Sequence, residues 1–166
     1  RSPLQSWSLA TILEAALAQA QQDAFAGAKP QFTVTTRIPK DVEVIGRETI
    51  PELLTNCLRC LGWACDSKPG TLKIEVVPEA PMVQMRFAMT GGEDLRAVIE
   101  KEGALAPEPG RHGGLYYFLV KLIVTDHQGS LAIESTKGGG TTIVVRLPQE
   151  QAAIAQAPAV HGAYRV

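Results

Sequence analysis

Three cysteines lie close together at positions 57, 60 and 65, and their thiols could support redox or zinc chemistry. Cys57 and Cys60 form a C-x-x-C pair, a spacing found in thiol–disulfide catalysts and in zinc sites. The pair falls in the middle of a predicted helix, and no second ligand pair follows it. An odd number of clustered cysteines also argues against a disulfide framework and fits a reducing cytoplasm. We interpret these cysteines as small helix-packing residues, with metal or redox use as the alternative.

The composition is that of a globular domain without a strongly charged partner. The 166 residues are 45% apolar and carry a net charge of −1, with acids and bases interspersed. This balance excludes a field that would attract nucleic acid or an anionic membrane. No apolar run approaches the about 18 residues of a membrane span. The first residues, RSPLQSW, contain neither an initiator Met nor a signal-peptide core, so we expect a cytoplasmic piece of a longer protein whose parent could be membrane-anchored.

Two long helices are predicted in the first half of the chain. Apolar residues at helical spacing predict the first helix over 8–26, with Ser8 as its N-cap. The second helix is expected to end near residue 65. Thr49 and Glu52 stand three positions apart at its start, which predicts a capping box.

Five strands are predicted, the first of them from its alternation of apolar and polar residues, and two further helices lie between the third strand and the fourth. The strands are expected at 31–39, 71–77, 82–89, 130–135 and 141–148, and the helices at 93–103 and 115–127. This order predicts an α+β fold, a two-layer sandwich whose mixed, mostly antiparallel sheet is covered on one face by helices. We expect residues 1–148 to form this domain and residues 149–166 to be a flexible C-terminal tail.

Two stretches of the sequence resemble the motifs of sensor histidine kinases. VIGRETIPELLTNCLRCL is similar to their N box, and HGGLYYFLVKLIVTDHQGSLAIESTKGGGTTIVVRLP is similar to their last glycine box and final strands. The similarity covers roughly residues 7–148 and implies the histidine-kinase-like ATPase fold, which gyrase, mismatch-repair and heat-shock ATPases share. In such a site an Asn holds magnesium, an Asp accepts the adenine amino group, and glycine-rich turns bring backbone N–H groups to the phosphates.

The N box of the family carries two Asn residues four positions apart, and the second one binds magnesium. The register favoured by the spacing to the next predicted strand places Asn56 first and Cys60 second, and a thiol is a poor magnesium ligand. In the rival register, Glu52 is the base that activates a water or hydroxyl, and Asn56 is the metal ligand. The resemblance therefore implies no cofactor in the first register and Mg-ATP in the second.

The first glycine box of the family begins with the Asp that accepts adenine. Here Met89 or Thr90 stands in that place, ahead of Gly91 and Gly92, and neither side chain is an anionic acceptor. A simple turn explains the two glycines as well as a nucleotide site does. Asp94 follows the glycines and is expected to start the short helix, where a carboxylate suits the positive end of the helix dipole.

The second glycine box opens the helix predicted at 115–127, and two of its glycines are replaced. Gly114 and Leu115 match the family, but Tyr116 places a ring where the phosphates need a bare backbone. The ring would fill a vacated pocket or, alternatively, stack on a retained ligand. Gly140 and Thr141 match the end of the family pattern, where the Thr hydroxyl lies beside adenine, although a glycine-rich hairpin explains them equally well.

The combined changes predict a degenerate ATP-binding module of a two-component signalling protein. It would bind ATP weakly or not at all and act through contacts with its own dimerisation helices, a response regulator or another kinase, without nucleic acid or direct membrane contact. A homodimer would form through helices that precede the chain. His127 stands at a helix C-terminus where the family often has His-Gly and where the His is usually structural, and no His has the context of a phosphoacceptor. The alternatives are an active, divergent sensor kinase domain, a phosphotransferase, and an anti-sigma-type regulator.

Overall fold

The computed structural model describes residues 2–23, 33–64, 70–91, 94–102, 113–135 and 139–149. Four helices and seven strands are present in these residues. The helices are α1 (Leu9–Asp23), α2 (Ile50–Ala64), α3 (Leu95–Glu102) and α4 (Gly113–Asp126). The strands are β1 (Gln5–Ser8), β2 (Thr33–Arg37), β3 (Glu43–Gly46), β4 (Thr71–Glu79), β5 (Met82–Thr90), β6 (Ser130–Ser135) and β7 (Gly140–Pro148).

Five strands form one mixed sheet in the order β2-β4-β5-β7-β6. Strand β2 pairs with β4 in parallel, and the other three pairings are antiparallel. Strands β4 and β5 form the hairpin predicted from the sequence, with Ala80 and Pro81 in its turn. The mixed, mostly antiparallel sheet packed with helices confirms the predicted α+β fold class.

The sheet buries rows of apolar side chains that run across its strands. In the central row, Ile74 on β4 lies opposite Phe87 on β5, which lies opposite Ile143 on β7 and then Ile133 on β6. All four side chains are buried. Because side chains alternate between the two faces of a strand, this register places one continuous apolar surface under the helices.

Helix α2 lies at the centre of the helical layer. It contacts α1 on one side and α4 on the other. Its leucines at positions 53, 54, 58 and 61 have no exposed surface, because apolar residues recur at helical spacing on its inner faces. The side chains of α2 that could do chemistry are therefore held in a rigid, packed element.

The predicted capping box at the start of α2 is wrong. The Thr49 hydroxyl is buried and has no hydrogen-bond partner within the described part of the chain, and Glu52 is exposed. The first turn is closed by backbone bonds instead, in which Ile50 N donates to Arg47 O and Leu53 N donates to Thr49 O. The prediction for Ser8 is confirmed, since its Oγ accepts a long hydrogen bond of 3.5 Å from Thr11 N at the start of α1.

A separate two-stranded ribbon, formed by β1 and β3, was not predicted from the sequence. Its strands are antiparallel, with Gln5 opposite Gly46 and Ser8 opposite Glu43. The indole N–H of Trp7, on β1, donates to the backbone oxygen of Gly46, the last residue of β3, at 3.1 Å. Each strand has only four residues, which is too short for a clear period-2 pattern.

The predicted tail falls largely outside the described residues. Gln149 donates its backbone N–H to Pro81 O at 2.9 Å, and residues 150–166 are not described. Residues 24–26, the last of the predicted first helix, and the third cysteine of the cluster, Cys65, also lie outside the described residues. None of the described helices has the length and apolar character needed to cross a membrane.

Candidate functional site

The residues predicted to form a nucleotide site fall into two groups of contacts. Asn56, on α2, is connected through Arg59 to Tyr116 in the first turn of α4. Met89, at the end of β5, pairs with Thr141 at the start of β7. The topology thus brings together residues that are 60 and 52 positions apart in the sequence.

Asn56 is almost completely buried, with 1% of its surface exposed. Its Oδ1 accepts a hydrogen bond of 3.1 Å from Nη1 of Arg59, one helical turn later on α2. Its Nδ2 is buried and has no hydrogen-bond partner among the described residues. A buried amide donor left without an acceptor is costly, by about 1–3 kcal/mol. The Arg59 guanidinium therefore orients the carboxamide through its oxygen alone.

The guanidinium of Arg59 also lies over the ring of Tyr116. The Cζ atom is 5.7 Å from the ring centroid, within the range of a cation–π interaction. The Tyr116 ring is half-buried and packs against the hydrophobic core. That the ring fills a vacated nucleotide pocket stays a prediction. Sequence reasoning missed Arg59, whose only signal was a basic residue three positions after Asn56 on a largely buried helix.

Cys60, the other candidate in the N box, lies in the hydrophobic core with Cys57. Both side chains are buried, and the two thiols are not joined by a disulfide. Burial raises the pKa of Cys57 and Cys60 well above the ordinary value of 9.0, because a thiolate would lose its hydration. Neutral buried thiols are inert toward metals and oxidants. Among the described residues, no group of three His, Cys, Asp or Glu side chains could hold a metal ion.

These observations test whether the residues fit the magnesium ion that the resemblance implies. Magnesium requires oxygen ligands in near-octahedral geometry. Position 60 offers a protonated thiol, and the Asn56 oxygen is already bonded to a guanidinium. Glu52 has a carboxylate, but its side chain is exposed on the surface of the domain. This donor set does not suit magnesium in either register of the N box.

The residues that stand in place of the adenine acceptor are occupied in packing or in local hydrogen bonds. Met89 is 1% exposed and belongs to the hydrophobic core. The hydroxyl of Thr90 accepts from Thr71 N at 3.1 Å and lies 2.6 Å from the Thr71 hydroxyl. Neither side chain carries the negative charge that an adenine amino group would meet in the family site.

The hydroxyl of Thr141 accepts a hydrogen bond of 2.8 Å from the backbone N–H of Leu95, the first residue of α3. Asp94 Oδ1 accepts from Arg96 N at 3.0 Å, and its Oδ2 accepts from Ser135 Oγ at 2.5 Å. Asp94 thus begins α3, as predicted, and satisfies one of the free donors of its first turn. Thr141 serves the same helix start from the neighbouring sheet.

The glycines of the predicted site have backbone roles where the structure describes them. Gly91 and Gly140 have φ of 81° and 112°, which L-residues rarely adopt. A Cβ at Gly140 would lie 2.2 Å from Met89 O, so the pairing of β5 and β7 itself requires glycine there. Gly92 lies outside the described residues, Gly114 lies in the first turn of α4, and Leu115 is 48% exposed.

His127 bridges the end of α4 and the turn before α2. Its Nε2 accepts from Arg47 N at 2.8 Å, and its Nδ1 lies 2.7 Å from Ile123 O, a carbonyl that can only accept. The proton therefore resides on Nδ1, and the ring is neutral in this arrangement. The predicted structural role is supported, with a hydrogen bond rather than a positive charge at the helix C-terminus.

Comparison with solved structures places the chain among histidine kinase catalytic domains in fold. It is similar to a mycobacterial sensor histidine kinase, MprB, with a TM-score of 0.66 and 18% identity over 88% of this chain and 97% of that one. It is also similar to the catalytic domain of histidine kinase ThkA in a nucleotide-free form, with a TM-score of 0.70 and 17% identity over 89% and 96%. Another nucleotide-free form of that domain gives 0.68 and 18% over 89% and 98%.

In sequence, no family model and no curated protein matches the chain. At these identities the likeness shows the fold alone. The chain has the histidine-kinase-like ATPase fold that its motifs predicted.

Proposed function

We propose that this domain is a degenerate histidine-kinase-type ATP-binding module of a two-component signalling protein, which binds Mg-ATP weakly or not at all and acts through protein contacts. The observation that carries the proposal is the hydrogen bond from Arg59 to Oδ1 of Asn56. It directs a permanent positive charge at Oδ1 of Asn56, the metal ligand in the register that makes Glu52 the base, whereas in the other register the ligand position holds the Cys60 thiol.

The adenine end of the cleft supports the same proposal. A nucleotide there would find no carboxylate, because the buried Met89 stands in its place, and the Thr141 hydroxyl is engaged with Leu95 N. An adenine amino group buried without an acceptor would lose about 1–3 kcal/mol of binding. Weak metal binding and weak base recognition together leave little to position a triphosphate, and phosphoryl transfer depends on that positioning.

A surface of α4 supports a role in contacts with proteins. Leu115, Phe118 and Leu122 are spaced so that they lie on one side of the helix, and they are 48%, 37% and 50% exposed. Exposed large apolar residues that cluster on one face are typical of interaction surfaces. The partners we propose are the protein's own dimerisation helices, a response regulator or another kinase, in the cytoplasm.

Isothermal titration calorimetry with ATP and magnesium tests the proposal. We expect no saturable binding at micromolar ATP, because neither the metal nor the base has its partner. The competence of the sample is checked by its cooperative thermal unfolding. Micromolar, magnesium-dependent binding would contradict the proposal and support an active kinase domain that uses Glu52 and Asn56.

A further inference from the structure

We propose that Arg59 is the residue that excludes divalent metal ions from the cleft, by placing its own cation at the oxygen of Asn56. The inference rests on the proposed function and deepens it, because it assigns the loss of metal binding to one residue that the N-box pattern does not include.

The carboxamide oxygen of Asn56 is already bonded to a cation. Nη1 of Arg59 donates to Oδ1 of Asn56 at 3.1 Å. A metal ion bound to that oxygen would come within a few ångströms of a guanidinium that stays charged at any physiological pH. Because the two cations would repel each other at this short distance, a metal ion would bind Oδ1 only weakly while Arg59 stays in place.

Arg59 is held in this position by an aromatic ring. Its guanidinium lies 5.7 Å from the centre of the Tyr116 ring, so departure also gives up a cation–π contact between α2 and α4. Tyr116 is the residue that stands where the family has a phosphate-facing glycine. The two changes are thus coupled, since the ring that obstructs the phosphates also holds the cation that replaces the metal.

Arg59 also fixes the orientation of the Asn56 side chain. A guanidinium can only donate, so it turns Oδ1 toward itself and leaves Nδ2 buried, with no acceptor among the residues that the structure describes. An amide nitrogen of this kind is not a magnesium ligand. Arg59 therefore blocks the oxygen and also fixes the carboxamide.

The experiment restores a second oxygen ligand and then removes the charge. Cys60→Asn alone is compared with Cys60→Asn combined with Arg59→Met, which keeps an apolar stem but no cation. The probe is Mn²⁺ alone, followed by paramagnetic broadening of backbone amide signals and its reversal by EDTA. We expect reversible broadening centred on positions 56 and 60 in the double variant and at least tenfold less in Cys60→Asn.

Two further variants complete the design. Cys60→Asn with Arg59→Lys keeps the positive charge and should resemble Cys60→Asn alone. Cys60→Asn with Arg59→Gln replaces the methionine variant if that variant does not unfold cooperatively. Equal broadening in the variants that keep a positive charge at position 59 and in those that lack it, whether strong or absent in both, would overturn the proposal that Arg59 excludes the metal ion. Failure of the proposed function would look different, as magnesium-dependent ATP binding by the unmodified protein.

Discussion

At the scale of single residues, the pairing of β5 with β7 depends on the absence of a side chain at Gly140. Its φ of 112° and the 2.2 Å that would separate a Cβ at this position from Met89 O are two separate reasons for glycine. The preceding Gly139 also has a positive φ, 100°, but a Cβ there would meet nothing within 4 Å. A side chain at Gly139 would therefore cause backbone strain alone, whereas a side chain at Gly140 would cause backbone strain and a steric clash.

This difference predicts unequal effects of two alanine substitutions. Gly139→Ala should lower the free energy of unfolding by about 1–2 kcal/mol, from backbone strain alone. Gly140→Ala should cost about 3 kcal/mol or more, because the strands must also move apart at Met89. Urea denaturation followed by circular dichroism measures both. Equal losses in the two variants would show that the contact with Met89 O is unimportant.

At the scale of elements, α3 is fastened to the sheet at its first turn. Three hydrogen bonds meet there, from Leu95 N to Thr141, from Arg96 N to Asp94 and from Ser135 to Asp94. The guanidinium of Arg96 also donates to Ile133 O on β6. The Thr141 hydroxyl, which the resemblance predicts to lie beside adenine, thus helps to position a short helix in this structure.

Removal of the Thr141 hydroxyl should loosen the start of α3. In Thr141→Val the buried N–H of Leu95 loses its acceptor, at a cost of about 1–3 kcal/mol. Hydrogen exchange at the Leu95 amide should accelerate roughly 10-fold or more, as one such bond protects it. Thr141→Ser keeps the hydroxyl and is the matched control, in which exchange should stay slow. Unchanged protection in Thr141→Val would mean that another contact holds α3.

At the scale of the whole molecule, the N-terminal segment is tied to the end of α4 through Gly46, the last residue of β3, and Arg47, which follows it. Trp7 bonds to Gly46 O, the Arg47 side chain donates to Ser2 O, and Arg47 N donates to His127. Arg47 Nε also lies 3.6 Å from Asp126. The ribbon, α2 and α4 therefore share one network.

The buried thiols of Cys57 and Cys60 predict how the free energy of unfolding of the whole domain depends on pH. Cys57 and Cys60 keep their protons in the folded state above the ordinary pKa of 9.0, whereas the unfolded chain releases them near that value. Their contribution to stability is complete below pH 9.0 and is lost progressively as the pH rises above it, by up to about 1.4 kcal/mol per pH unit for each thiol.

The comparison uses the Cys57→Ala, Cys60→Ala double variant, in which the other titrating groups are the same. Urea unfolding between pH 8 and pH 10, at about half-unit steps, should show a steeper loss in the unmodified protein than in the variant. Parallel curves would show that the thiols ionise in the folded state.

The sequence by itself determined most of the elements and the fold class. Helical spacing in α1, the apolar run of α4 and the alternation of β2 are local patterns, and the hairpin of β4 and β5 needs only neighbouring residues. The same patterns, together with the glycine and N-box motifs, identified the fold. The resemblance also predicted that Asn56 matches an Asn of the N box and that Cys60, Met89 and Tyr116 depart from the family pattern.

Tertiary structure alone decided how those residues meet. The β1–β3 ribbon joins distant segments through short strands with little pattern, and the failed capping box at Thr49 lost to backbone bonds made with Arg47. Arg59 had no motif of its own, because its significance comes from Tyr116, a residue on another helix. Local patterns determine which face of an element is buried, whereas side-chain pairing between distant elements depends on how the packed layers bring them together.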